Sequence, residues 1–210
     1  NLSRAAFEAN VATFFIVSGV WLFLLGIQEK RWYLYLSVVS FVLSMYTFNT
    51  ARIVAPFLGI VLAIGCYKDL LQTKKESIIA GIVGFLVLLP MLPFLFSPQA
   101  SLRYKEVNIF SDPTVIERSN RYIENDGNTL WSKAIHNRRV MYAREYVRHY
   151  LDNLTPKFLF IKGDGNPKFS TQDVGQLYLW DLPFLLIGVL FLFRKREGYW
   201  WIIPAWLLIS

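Results

Sequence analysis

Repeated apolar runs of nearly membrane-crossing length restrict this chain more than any other feature. They are Val11–Ile27, a 36-residue stretch from Trp32 to Tyr67, Ile78–Phe96, Leu179–Phe193, and a last run from Tyr199 to Ser210. A hydrocarbon core is ~30 Å thick, and about 20 apolar residues in a helix cross it. As one helix, the stretch from Trp32 would extend ~54 Å, too far for a single crossing. Its polar break, Asn49-Thr50-Ala51-Arg52, divides it into two spans joined by a tight turn. Pro56 is then expected in the first turn of the second span, where its missing N–H costs little. The expected fold class is all-α: a polytopic transmembrane helix bundle of about six spans with one large extracytoplasmic loop containing helices. Spans one to four are expected within 1–96, the loop within 97–178, and spans five and six within 179–210. The chain starts at Asn1 and stops inside its last apolar run. It is therefore expected to be a piece of a longer protein, with the sixth span truncated.

Hydrophobic types make up 54% of the residues and aromatics 17%. Many Trp, Tyr and Phe stand at the ends of apolar runs, where amphipathic rings settle at a membrane interface. The formal charge of +7 would suggest nucleic acid in a water-soluble domain. Here it arises from Lys and Arg in loops, so the expected partner is a lipid bilayer and no nucleic acid. A single Cys66 excludes a disulfide framework and reads as packing.

Three short links, Glu29–Arg31, Lys68–Glu76 and Arg194–Glu197, hold eight Lys and Arg between them. Alternation of the spans puts all three on one side, which is the cytoplasm by the positive-inside rule. Residues 1–9, the turn at 49–52 and the loop 97–178 then face outward. The expected location is the cytoplasmic (inner or plasma) membrane, with the active face extracytoplasmic. Within the loop, Asp112-Pro113 reads as an N-cap followed by an N1 proline. Trp131–Leu154 reads as one long helix, with Tyr142, Tyr146, Tyr150 and Leu154 recurring every four residues. Such a helix suits the membrane surface or the mouth of the bundle. Leu159-Phe160-Ile161 is a short apolar run, and Gly163, Gly165 and Pro167 begin a turn-rich return.

Four polar groups are expected on the outer side. Arg4 and Glu8 share a helix face and either pair with each other or border a polar cavity. Tyr46 and Arg52 flank the second turn, where Arg52 either holds a phosphate oxygen or anchors at the interface. His136, Arg138 and Arg139 form either a solvated basic face or a substrate contact. Lys162 and Asp164 open a segment whose glycines allow close backbone approach, or which simply turns the chain back. No P-loop, dinucleotide fingerprint, GxSxG, HExxH or CxxC is present. His136 and His149 do not reach zinc-ligand spacing with a Cys or a second acid.

The segments SRAAFEANVATFF, YTFNTARIVAPFLGI, IFSDPTVIER, IHNRRVMYAREYVRHYLDNLTPKFLFIKGDGNPKFS and GQLYLWDLPFLLIGVLFLF follow one another along the chain. In that order the chain resembles bacterial protein O-mannosyltransferase-like membrane glycosyltransferases. These belong to the GT-C superfamily, with the aminoarabinose transferase. The resemblance implies transfer of a sugar from a polyprenyl-phosphate-linked donor to a glycan, lipid or protein acceptor on the extracytoplasmic face, with inversion at the anomeric carbon. It implies an acidic general base in a loop upstream of Asn1, with Glu8 as a candidate bordering the active cavity and Arg52 facing the lipid-linked phosphate. It leaves room for a divalent cation.

Two other classes stay open on the sequence: a transporter or flippase for a lipid-linked sugar, and a non-catalytic membrane scaffold. A transporter is expected to carry ionisable residues or broken helices at mid-depth, whereas here the ionisable residues cluster at run ends. Side-selective labelling of Lys74→Cys, Lys195→Cys and Lys133→Cys in sealed vesicles should give Lys74 and Lys195 one accessibility and Lys133 the opposite one. A common side for all three removes the topology.

Overall fold

A computed structural model describes residues 2–95, 97, 113–163, 174–196 and 198–210, with side chains from Glu8 onward except Leu95. The described elements are helical, with no strand among them. They are α1 (Leu2–Gln28), α2 (Tyr33–Thr47), α3 (Ala51–Gly65), α4 (Tyr67–Gln72), α5 (Lys74–Leu88), a 3₁₀ turn (Leu89–Met91), α6 (Leu92–Leu95), α7 (Pro113–Asn125), α8 (Leu130–Ile135), α9 (Arg138–Asn153), a π-helical turn (Lys157–Lys162), α10 (Asp181–Lys195) and α11 (Ile202–Ile209). They form two compact units, Asn1–Leu92 with Trp180–Ser210, and Pro93–Leu179.

The first unit is held by helices that meet on small residues. A Cβ on Gly19 would stand 3.2 Å from the Phe41 ring, and one on Gly26 would stand 2.7 Å from Leu34. These two contacts run in opposite order along α1 and α2, so the pair is an antiparallel hairpin. Ser37, fully buried, donates its hydroxyl to the Gly19 carbonyl across the hairpin at 2.7 Å. Without that partner a buried hydroxyl costs a few kcal/mol. Gly84 of α5 receives Val38 of α2, and the Tyr46 hydroxyl donates to the Val87 carbonyl at 2.8 Å, so α2 and α5 run in the same direction. Trp201, just before α11, lies over Gly65 at the end of α3.

Among the described residues, two helices are long and apolar enough to cross a bilayer, Glu8–Gln28 and Lys74–Phe94. This corrects the expectation of about six spans. α2, α3 and α10 have 15 residues each, and α11 has eight. At 1.5 Å per residue, a 15-residue helix reaches only ~22 Å, short of a ~30 Å core. The division of the Trp32–Tyr67 stretch is as expected, but its cause is local. Phe48 leaves the helix with φ −146° and ψ 140°. Because α3 starts at Ala51, Pro56 falls in the second helical turn rather than the first and removes one bond of the ladder. The expected charged link from Lys68 is itself largely helical, with Lys68 in α4 and Lys74 opening α5.

Large apolar side chains of this unit point outward. Phe14, Trp21, Phe57, Ile64, Ile78 and Phe85 are each more than half exposed, and so are Phe184, Ile187 and Leu190 of α10. Only 33% of the Glu8–Gln28 window and 17% of the Lys74–Phe94 window is buried. A core helix of a water-soluble domain is mostly buried, whereas these two windows are mostly exposed.

The second unit packs in the ordinary sense. Val115, Met141 and Tyr142 form a core between α7 and α9, with Ile116 against it. The helix expected over Trp131–Leu154 is two helices, broken at His136-Asn137. The Asn137 side chain accepts from Arg139 N at 2.9 Å and caps α9, which satisfies a donor that a continuous helix would have used otherwise. Phe160 in the π-helical turn is buried, and Leu177 N donates to the Leu159 carbonyl at 2.7 Å. Pro113 opens α7, while Asp112 lies outside the described residues.

Gly84→Ala drives a methyl into the Val38 side chain, whereas a methyl at Gly81 meets nothing within 4 Å. Gly84→Ala should therefore destabilise the bundle by ~1–3 kcal/mol, and Gly81→Ala should be neutral or slightly stabilising. Thermal unfolding of both variants in detergent checks the contrast.

Candidate functional site

The register of the first unit gathers eight of its ten Lys and Arg at one end. Arg31 pairs with Glu76 at 3.6 Å, which joins the α1–α2 link to the start of α5. Trp201 over Gly65 brings the link after α10 to the same end, with Arg194, Lys195 and Arg196 a few residues before it. Lys30, Arg31, Lys68, Lys74 and Lys75 complete the set.

Tyr46 and Arg52 stand at the opposite end, brought together by the turn between α2 and α3. The Arg52 Nε donates to the Met45 carbonyl at 3.1 Å, which fixes the plane of a half-buried guanidinium. Thr47 Oγ1 donates to the Ser44 carbonyl at 2.8 Å and closes the last turn of α2. The Tyr46 hydroxyl is committed as a donor to Val87 and keeps its acceptor lone pairs. Glu8 is exposed on the stretch of α1 that the antiparallel register carries past the end of α2, so it belongs to this end as well. Arg4 lies on α1, but its side chain, and with it the expected Arg4–Glu8 pair, falls outside the described residues. An oriented planar guanidinium is suited to two oxygens of a phosphate, and an exposed carboxylate is suited to a hydroxyl.

In the second unit, His136 and Arg138 flank the break between α8 and α9. Nε2 of His136 donates to Oδ2 of Asp126 at 2.8 Å, and its ring lies 5.3 Å from that of Tyr122. Ser119 donates its hydroxyl to the His136 carbonyl. Asp126 and Ser119 are the residues that sequence reasoning missed. Asp126-Gly127-Asn128 carries the signature of a turn, and Gly127 and Asn128 do adopt positive φ of 74° and 56°. That signal locates the turn without revealing its histidine partner. Arg138 is exposed at the start of α9, and Lys162 is exposed at the end of the π-helical turn, apart from the His136 group in the chain. Asp164 lies outside the described residues. Among the described residues, no three His, Cys, Asp or Glu side chains come together as a metal site.

No family model, no curated protein and no solved structure matches the chain. The chemistry of the site therefore rests on its residues.

The His136–Asp126 pair is partly exposed, with side-chain exposures of 20% and 59%. A double-mutant cycle of His136→Ala and Asp126→Asn should give a coupling no larger than about 1 kcal/mol at neutral pH. A coupling several times larger means that the pair organises the fold, rather than closing one turn.

Proposed function

We propose that this chain is part of a membrane glycosyltransferase that moves a sugar from a polyprenyl-phosphate-linked donor to a glycan, lipid or protein acceptor at the extracytoplasmic face. The observation that carries the reading is the polarity of the first unit. Eight Lys and Arg collect at one end, while Tyr46, Arg52 and Glu8 stand at the other. A basic end marks the cytoplasmic side of a bilayer-embedded bundle. The wide exposure of large apolar side chains supports embedding, because in water such a surface would drive association. On this reading the shorter apolar helices α2, α3, α10 and α11 are embedded beside the two helices long enough to cross. Their short lengths are met by local thinning of the bilayer and by neighbouring helices.

The donor's lipid tail must remain in hydrocarbon while its phosphate reaches the interface. Arg52 stands where such a phosphate would arrive, and its oriented guanidinium stabilises the negative charge that develops as the sugar–phosphate bond breaks. A base takes the proton of the acceptor hydroxyl. Glu8 is the candidate carboxylate within this chain, beside the base that the family resemblance implies upstream of Asn1. The ionisable residues of the helices in the first unit sit at helix ends, and none is buried among the described residues. That supports chemistry at one face over carriage of a polar group through the middle.

Arg52→Ala and Glu8→Gln should each lower transfer from a defined polyprenyl-phosphate sugar on the order of 10²-fold while the protein stays folded. Arg52→Lys should recover little, because a point charge does not reproduce the planar fork. Turnover that is unchanged in both Arg52→Ala and Glu8→Gln removes the site.

A further inference from the structure

α8 is built inside out. Ser132 is 3% exposed, while Leu130 and Trp131 beside it are 87% and 77% exposed and Ile135 is 54% exposed. The polar side of this helix is held firmly. Thr129 Oγ1 accepts from Ser132 N at 3.1 Å, and the Ser132 hydroxyl donates to the Thr129 carbonyl at 2.9 Å. At the other end, Ser119 holds the His136 carbonyl and Asp126 holds the His136 ring. The three large apolar side chains therefore project from a backbone pinned at both ends. Lys133 within the helix and Arg138 and Arg139 just after it are all exposed.

Exposed apolar clusters of this size mark interaction surfaces. A protein partner's interface is depleted in Lys, whereas a tryptophan and aliphatic prow rimmed by Lys and Arg has the composition of an interfacial membrane anchor. The chain runs toward this unit from the Lys74–Phe94 helix and leaves it toward the apolar α10, so a bilayer holding those helices keeps the patch at high effective concentration near its surface. We propose that Leu130, Trp131 and Ile135 insert into the headgroup–acyl boundary of an anionic lipid surface, with Lys133, Arg138 and Arg139 on the headgroups. The anchor rests on the membrane placement of the bundle and not on sugar transfer.

The test uses the full chain carrying Cys66→Ala and Leu130→Cys, fluorescently labelled and reconstituted in phosphatidylcholine vesicles with and without phosphatidylglycerol. The same label at Glu117→Cys is the comparison. Lipid-borne nitroxides should quench the label at 130 roughly threefold more than at 117, and more strongly when phosphatidylglycerol is present. Quenching of the label at 130 by aqueous iodide overturns the anchor. So does shielding from both quenchers, which assigns the patch to protein contact. Equal lipid quenching at 130 and 117 also overturns it. Combined Lys133→Glu, Arg138→Glu and Arg139→Glu should abolish the phosphatidylglycerol effect. If Cys66→Ala does not fold, Trp131→Phe in the otherwise natural chain should reduce tryptophan quenching by brominated lipid, and no reduction overturns the proposal. Failure to float with vesicles removes the membrane placement itself, whereas flotation with an iodide-accessible residue 130 removes only the anchor.

Discussion

Close approach of helices on glycine and serine is the constraint from which the first unit follows. Gly19 and Gly84 each receive a side chain from a neighbouring helix, Gly65 receives Trp201 from just before α11, and Ser37 adds a hydrogen bond where α1 and α2 nearly touch. In a bilayer, packing of this kind relies on van der Waals contact and a few polar bonds rather than on removing oily surface from water. It leaves many other large apolar side chains, Phe14, Trp21 and Ile64 among them, pointing outward. The register set by these contacts also decides which links share an end. The charge polarity of the unit is thus a consequence of where its glycines stand.

That polarity gives the proposed reaction its geometry. A carrier lipid with a phosphate head can be met only at the bilayer surface, and a guanidinium at a helix start is well placed there. The turn between α2 and α3 brings Arg52 back toward Met45, so the backbone itself aims the side chain. The Tyr46 bond to Val87 ties the same turn to α5. Two helices and one turn therefore share in placing a single cation, and a slip of either helix moves it.

The all-helical class and the grouping of basic links were legible in the sequence, because hydropathy and charge are properties of composition along the chain. Helix ends were not. Nothing in the apolar pattern between Trp32 and Tyr67 says that Phe48 turns extended while α3 begins at Ala51, so the number of helices long enough to cross was overestimated. The break at His136-Asn137 was hidden for a different reason. Tyr142, Tyr146 and Tyr150 repeat at helical spacing straight from the preceding residues, and periodicity does not register a capping side chain. Asn137 takes the Arg139 amide and ends the continuity. Asp126 escaped because a turn motif reports backbone shape, and its bond to His136 depends on how α7 and α8 fold back on each other.

Both units bury apolar side chains, but the first leaves far more of them exposed. Val115, Met141 and Tyr142 hide from water as in any water-soluble domain. α8, in the same unit, turns Ser132 inward and Leu130, Trp131 and Ile135 outward, so it shares with the bundle an exposed apolar surface. A short segment held this firmly gains nothing from displaying a tryptophan to water, since burying each such side chain is favourable by roughly 1.5–3 kcal/mol. The inversion makes physical sense where the surroundings of α8 resemble those of the bundle. On the proposed reading, one apolar medium accounts for both observations.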